Sequence, residues 1–193
     1  MEDAQIMQLG PLAALAGLWE GEKGDDLAPS DDLGTENNKY RERILFEPIL
    51  PVQNHEQKLF GLRYHRTAWR LGEAFPFHED LGYWLWDPAA RQVMRCFIVP
   101  RGVAIIAGGT VEPSASQFTL LAESGSCVYG ISSNQFLDKN FKTLRFELTV
   151  TIHEGNTYSY AEDTQLQIPG QKEIFHHRDS NTLTRVVAKQ IHA

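Results

Sequence analysis

The stretch Leu144-Arg145-Phe146-Glu147-Leu148-Thr149-Val150-Thr151-Ile152 decides the class of the fold. Apolar side chains take every second position and polar ones the positions between. A strand turns successive side chains to opposite faces. Leu144, Phe146, Leu148, Val150 and Ile152 are therefore expected on one face, with Arg145, Glu147, Thr149 and Thr151 on the other. A helix would scatter both sets round its axis.

Working outward, comparable runs fill the chain from Lys39 onward: Tyr40–Ile49, Gln57–Leu71, Gly82–Asp87, Gln92–Pro100, Val103–Val111, Gln117–Glu123, Tyr158–Ile168 and Glu173–Val187. Turn residues separate them at Asp87-Pro88, Pro100-Arg101-Gly102, Glu112-Pro113-Ser114, Glu154-Gly155-Asn156 and Pro169-Gly170. Roughly ten strands joined by hairpin-length turns describe an all-β, antiparallel up-and-down barrel of calycin or lipocalin-like shape. A two-sheet sandwich is the alternative, since alternation alone does not show closure. A closed sheet leaves no exposed edge, and at that strand number its interior has room for a ligand.

Helical spacing occurs once, in Met7–Leu18, where Leu9, Leu12, Leu15 and Ala16 predict a short N-terminal helix serving as a plug or lid. Gly21–Asn38, rich in Gly, Asp, Ser and Asn, reads as a long loop over the barrel mouth. No repeat or linker divides the 193 residues, so one domain is expected over 1–193, with the helix in 1–18 and the barrel in 19–188.

The 25 acidic against 18 basic residues give a formal charge of -7, and no Lys/Arg cluster offsets it locally. Such a surface repels phosphate backbones, which excludes nucleic acid as an expected partner. No apolar run reaches the ~20 residues of a spanning helix, and the start lacks a signal-peptide pattern, so no membrane partner and a cytoplasmic location are expected. Cys96 and Cys127 are too few for a disulfide framework and read as buried, reduced thiols.

Familiar catalytic patterns are missing: there is no GxSxG, HExxH, Walker loop or GxGxxG. Trp19 stands between Gly17 and Gly21, where its ring can lie across one barrel end. Of the seven histidines, His55, His65, His153 and His192 have polar or charged neighbours and read as surface residues. His78 lies between Phe77 and the strand leading to Tyr83. His176 and His177 lie on the last β segment, where only one of two neighbours can face the barrel interior, and His177 shares the face of Phe175. For these three, a metal ligand and a hydrogen-bonded structural histidine are both open. Glu79, Asp80, Asp87, Glu162, Asp163 and Asp179 supply carboxylates, with nothing in the pattern to bring any two together.

Taken in order, Gly17-x-Trp19-x-Gly21, Pro76-x-His78-x-Asp80-x-Gly82-Tyr83, Pro100-x-Gly102 and a His177 followed by Leu183-x-Arg185-Val186 resemble the nitrobindin-like haem-binding β-barrels. That group is related in shape to fatty-acid-binding proteins and includes the C-terminal domain of a human THAP protein. The resemblance implies haem b as cofactor, His177 as the axial ligand to its iron, and His78 as a pocket-side polar residue. It also implies nitric oxide binding and, as an enzymatic reading, isomerisation of peroxynitrite to nitrate. Compact members are shorter, chiefly at Asp25–Asn38 and Ser124–Asn140, and the glycine after Gly21 comes late here. A lipocalin-like carrier of a small apolar ligand, without metal or catalysis, is the alternative. A hydrolase or isomerase using pocket carboxylates is a third reading.

Overall fold

A computed structural model describes residues 6–186. The described residues form twelve strands: β1 (Gly17–Pro29), β2 (Thr35–Pro48), β3 (Val52–Asn54), β4 (Gln57–Arg70), β5 (His78–Asp87), β6 (Gln92–Val99), β7 (Val103–Thr110), β8 (Gln117–Ser124), β9 (Gly130–Ser133), β10 (Lys142–His153), β11 (Thr157–Gln167) and β12 (Phe175–Arg185). One short helix, α1 (Gln135–Asn140), interrupts them. The single sheet runs β2-β1-β12-β11-β10-β8-β9-β7-β6-β5-β4-β3, and β2 also pairs with β4. That last pairing, from Tyr40 opposite Arg70 to Pro48 opposite Leu62, closes the sheet into a barrel and excludes the sandwich. β9 is wedged between β7 and β8 and is parallel to β8, while the other pairings are antiparallel. Among the described residues, no helix is long and apolar enough to cross a membrane.

The alternation that suggested β10 governs its packing. Phe146, Leu148 and Val150 are buried, and Ile152 packs against the core they share. Leu144 is only half-buried and stands at a register shift between Thr143 and Arg145. The same parity sends Ile44 and Phe46 of β2, Leu62 and Tyr64 of β4, and Trp84 and Trp86 of β5 inward, leaving Tyr83 on the outer wall.

The expected short N-terminal helix is present as a run of 3-10 turns over Met7–Leu15, broken at Gly10 (φ 55, ψ -130). Gly10-Pro11 interrupts the helical hydrogen bonds there. It still plugs one barrel end, burying Leu9, Leu12 and Leu15 against Trp19 and Trp86 in one cluster. Trp19 Nε1 donates to Leu15 O at 2.7 Å, and its ring stands edge-on to Tyr158, which gives it a structural role. The stretch read as a long loop, Gly21–Asn38, is instead a β-hairpin whose turn is residues 30–34. Its polar composition reflects strands that rise past the barrel rim into solvent.

Cys96 is half-buried and Cys127 exposed, so the expectation of two buried thiols fails for Cys127. His55 and His153 lie on the surface, and exposed His65 sits 3.9 Å from Glu79. His192, like the barrel's expected end at 187–188, lies outside the described residues.

Candidate functional site at the open mouth

The end opposite the plug is ringed by the turn 30–34, the connection 71–77, helix α1 and the turn 168–174. β12 enters the barrel here. Asn181 and Leu183 are buried on its inner face, so Asp179, His177 and Phe175 share that face by alternation. His176 points the other way, and Asp163 holds its Nδ1 at 2.7 Å. His177 is about one-third exposed, with Nε2 2.7 Å from Oδ1 of buried Asp26 on β1. Burial alone would lower the His177 pKa, but the Asp26 hydrogen bond and charge raise it above the ordinary value. Asp26 mirrors this: burial works against its charge, while His177 and Asn38 hold its pKa low.

His78 opens β5 on the same rim, with Nε2 3.1 Å from Oδ2 of Asp80. Asp80 is fully buried. Burial opposes its ionisation, but Arg95, His78 and Arg66 together keep its carboxyl well below the usual range.

Beneath the mouth lies a layer of paired charges. Arg66 donates from Nε to Glu42 at 2.7 Å and from Nη2 to Asp179 at 2.7 Å and Tyr160 Oη at 2.6 Å. Arg95 donates to Glu162 at 3.2 Å, to Asp80 at 3.1 Å and to Tyr64 Oη at 3.0 Å. Tyr40 donates to Asp179 and Tyr64 to Asp80. Asn181 and Tyr160 complete the shell round Glu42 at 2.7 and 2.9 Å. Burial pushes the pKa values of Glu42 and Glu162 up despite the guanidinium beside each.

Sequence reading singled out Asp80, Glu162 and Asp179 without seeing that they converge, and it missed Asp26, Glu42, Arg66 and Arg95. Parity held the signal. Glu42 lies between Tyr40 and Ile44 on the inward positions of β2, Arg66 between Tyr64 and Ala68 on β4, and Arg95 between Val93 and Phe97 on β6. A charge at an inward position needs a partner across the barrel. The other candidates serve elsewhere: Glu79 is exposed beside His65, Asp163 binds His176, and Asp87 accepts from Ala89 N and Ala90 N in the β5–β6 turn.

At and below the charged layer an interior cavity of only about 30 Å³ is lined by residues such as Phe46, Trp84, Arg95 and Tyr158, and that space suits one water. A wider depression of about 490 Å³, within the range of small-molecule pockets, is lined by residues such as Asp25, Leu27, Glu147, Asp163 and Arg178. The mouth differs. Leu33, Leu71, Phe75 and Ile174 are exposed on its loops, and Phe77 packs edge-on against Tyr40 just inside. Exposed apolar side chains gathered round an opening suit an apolar ligand resting there.

Among the described residues, no three of His, Cys, Asp and Glu are gathered to hold a bare metal ion. Iron carried in a macrocycle asks less: an axial donor and an apolar seat. His177, oriented by Asp26 and facing this rim, fits that request. The packed interior does not.

The family model of the THAP4-like, heme-binding beta-barrel domain matches residues 8–185. Among solved structures, the crystal structure of Rv2717c from M. tuberculosis is similar, with a TM-score of 0.63 and 21% identity, covering 95% of this chain and 98% of that one. At that identity the likeness speaks for the fold. No curated protein matches the chain.

Proposed function

The chain belongs to the THAP4-like, heme-binding beta-barrel domain family, and from that premise we propose that it binds haem b at the barrel mouth with His177 as the axial ligand. The observation that carries this reading is the orientation of His177. It lies on the inner face of the last strand, part-exposed at the open end, with one ring nitrogen held by a buried carboxylate. Imidazole suits iron, and a carboxylate on the second nitrogen fixes the ring and raises its basicity.

The chain's other residues would act around that bond. Phe77 and the rim side chains Leu33, Leu71, Phe75 and Ile174 would cover the apolar plate. The Arg66 and Arg95 layer would form the floor beneath it. His78, bonded to Asp80, would offer a polar group on the same rim. Bound there, haem iron would supply a site for nitric oxide and the chemistry that turns peroxynitrite into nitrate. The alternative, a carrier of a small apolar ligand without metal or catalysis, would use the same rim, and membership of a heme-binding family favours haem over it.

Haemin titration tests the reading. The purified protein should gain a Soret band, His177→Ala should lose it with its far-ultraviolet circular dichroism intact, and His176→Ala should keep it. A parent that takes up no haemin, or a His177→Ala variant that binds like the parent, overturns the assignment.

A further inference from the structure

We infer that Asp26 is a positioning residue for the haem site, turned into the barrel by an extra residue in β1. The inference rests on the haem reading above for its iron-side consequence, and on the fold alone for its geometry.

Along β1, Trp19 and Gly21 are buried, and strict alternation from them would next bring Lys23 and Asp25 inward. The register breaks first. Gly21 lies opposite Glu42 and Gly24 opposite Tyr40, so three steps on β1 match two on β2. On the other side, five steps from Glu20 to Asp25 match four from Thr184 to Ser180. One extra residue is accommodated on β1 against both neighbours. Such a bulge re-aims the side chains that follow it. Glu22 and Lys23 are both exposed, and the inner face passes to Gly24 and Asp26. Asp25 turns outward instead and pairs with Lys39 at 2.6 Å.

Gly24 completes the arrangement. A Cβ there would lie 2.5 Å from the ring of Tyr40, so its absence lets that ring lie against β1. Tyr40 can then reach Asp179 and Tyr160 under the mouth. The late glycine in the sequence marks this place.

So placed, Asp26 accepts from His177 Nε2 at 2.7 Å and from Asn38 Nδ2 at 3.2 Å. The contact to Asn38 ties the carboxylate to the neighbouring strand and limits its rotation. A carboxylate fixed in this way selects one tautomer of the ring, fixes its plane and leaves the other nitrogen's lone pair for a metal. An outward Asp25 could do none of this.

Two measurements on Asp26→Asn and Asp26→Ala test the inference. In ligand-free protein at alkaline pH, ¹⁵N shifts of the His177 ring should show the Nε2–H tautomer in the parent and a mixture in either variant. In haemin-loaded protein, the variants should bind roughly 10–100-fold more weakly. Their iron–histidine stretch should fall in frequency and their reduction potential should rise, while circular dichroism stays that of the parent. Asp26→Glu should recover part of both spectroscopic changes. If the parent binds no haemin, the haem reading falls and the tautomer measurement alone judges Asp26. If the parent binds haemin and the variants match it in tautomer, potential and affinity, the role of Asp26 is overturned while the haem reading stands.

Discussion

Arg66 shows what single residues do in this barrel. It is 5% exposed and reaches three carboxylates and two tyrosine hydroxyls from four strands besides its own. Taking a guanidinium and its partners out of water is costly, and only their mutual pairing offsets that cost. Arg66→Met strands Glu42 and Asp179 in a poorly solvated place. It should lower unfolding stability at neutral pH by about 3–5 kcal/mol, read from urea midpoints. Arg66→Met combined with Glu42→Leu should recover much of the loss, because the second change removes the orphaned charge. A single variant as stable as the parent would mean that the pairing contributes little. Alternation could place these residues inward, yet which charge meets which depends on the stagger of strands across a closed sheet. Arg66 and Asp179 are 113 positions apart in sequence, and nothing local in the chain joins them.

Among the elements, the 3-10 plug and the β1–β2 hairpin were the two least legible, for opposite reasons. The plug has helical spacing of leucines, but Gly10 adopts a positive φ and a Cβ there would lie 2.5 Å from Trp86 Nε1. Packing against the barrel floor, not the leucine periodicity, sets its path. Gly10→Ala should therefore cost about 1–3 kcal/mol through the clash and the backbone strain. The melting temperature should fall, and haemin affinity at the opposite end should stay within error of the parent. The hairpin was hidden by composition, since its outer half faces water on both sides and carries Asp and Asn where a core-facing strand carries Val or Ile. By contrast, β10 was plain in the sequence because one of its faces is dry and the other wet along most of its length.

For the whole molecule, the titrating groups bias stability in one direction. Glu42 and Glu162 have folded pKa values raised by burial from 4.5, so their contribution is complete below that value and is lost as pH climbs through the folded values. His177, raised from 6.5 because Asp26 outweighs burial, also favours the fold below that value and loses its contribution as pH rises further. Burial opposes the charges of Asp26 and Asp80, but their partners hold both below 3.8. Their contribution is present above 3.8 and fades as pH falls through the folded values. Urea midpoints measured from pH 3 to 9 should thus peak on the acid side of neutrality, and Glu42→Gln should flatten the fall above the peak. A maximum at or above pH 8 would contradict this accounting. The barrel is stoppered at one end and floored by charge below the other, so any guest comes and goes across the rim alone. Residence time then becomes a property of a few loop side chains, separable from how firmly the wall holds together. Such a vessel can be retuned for grip or release without being rebuilt.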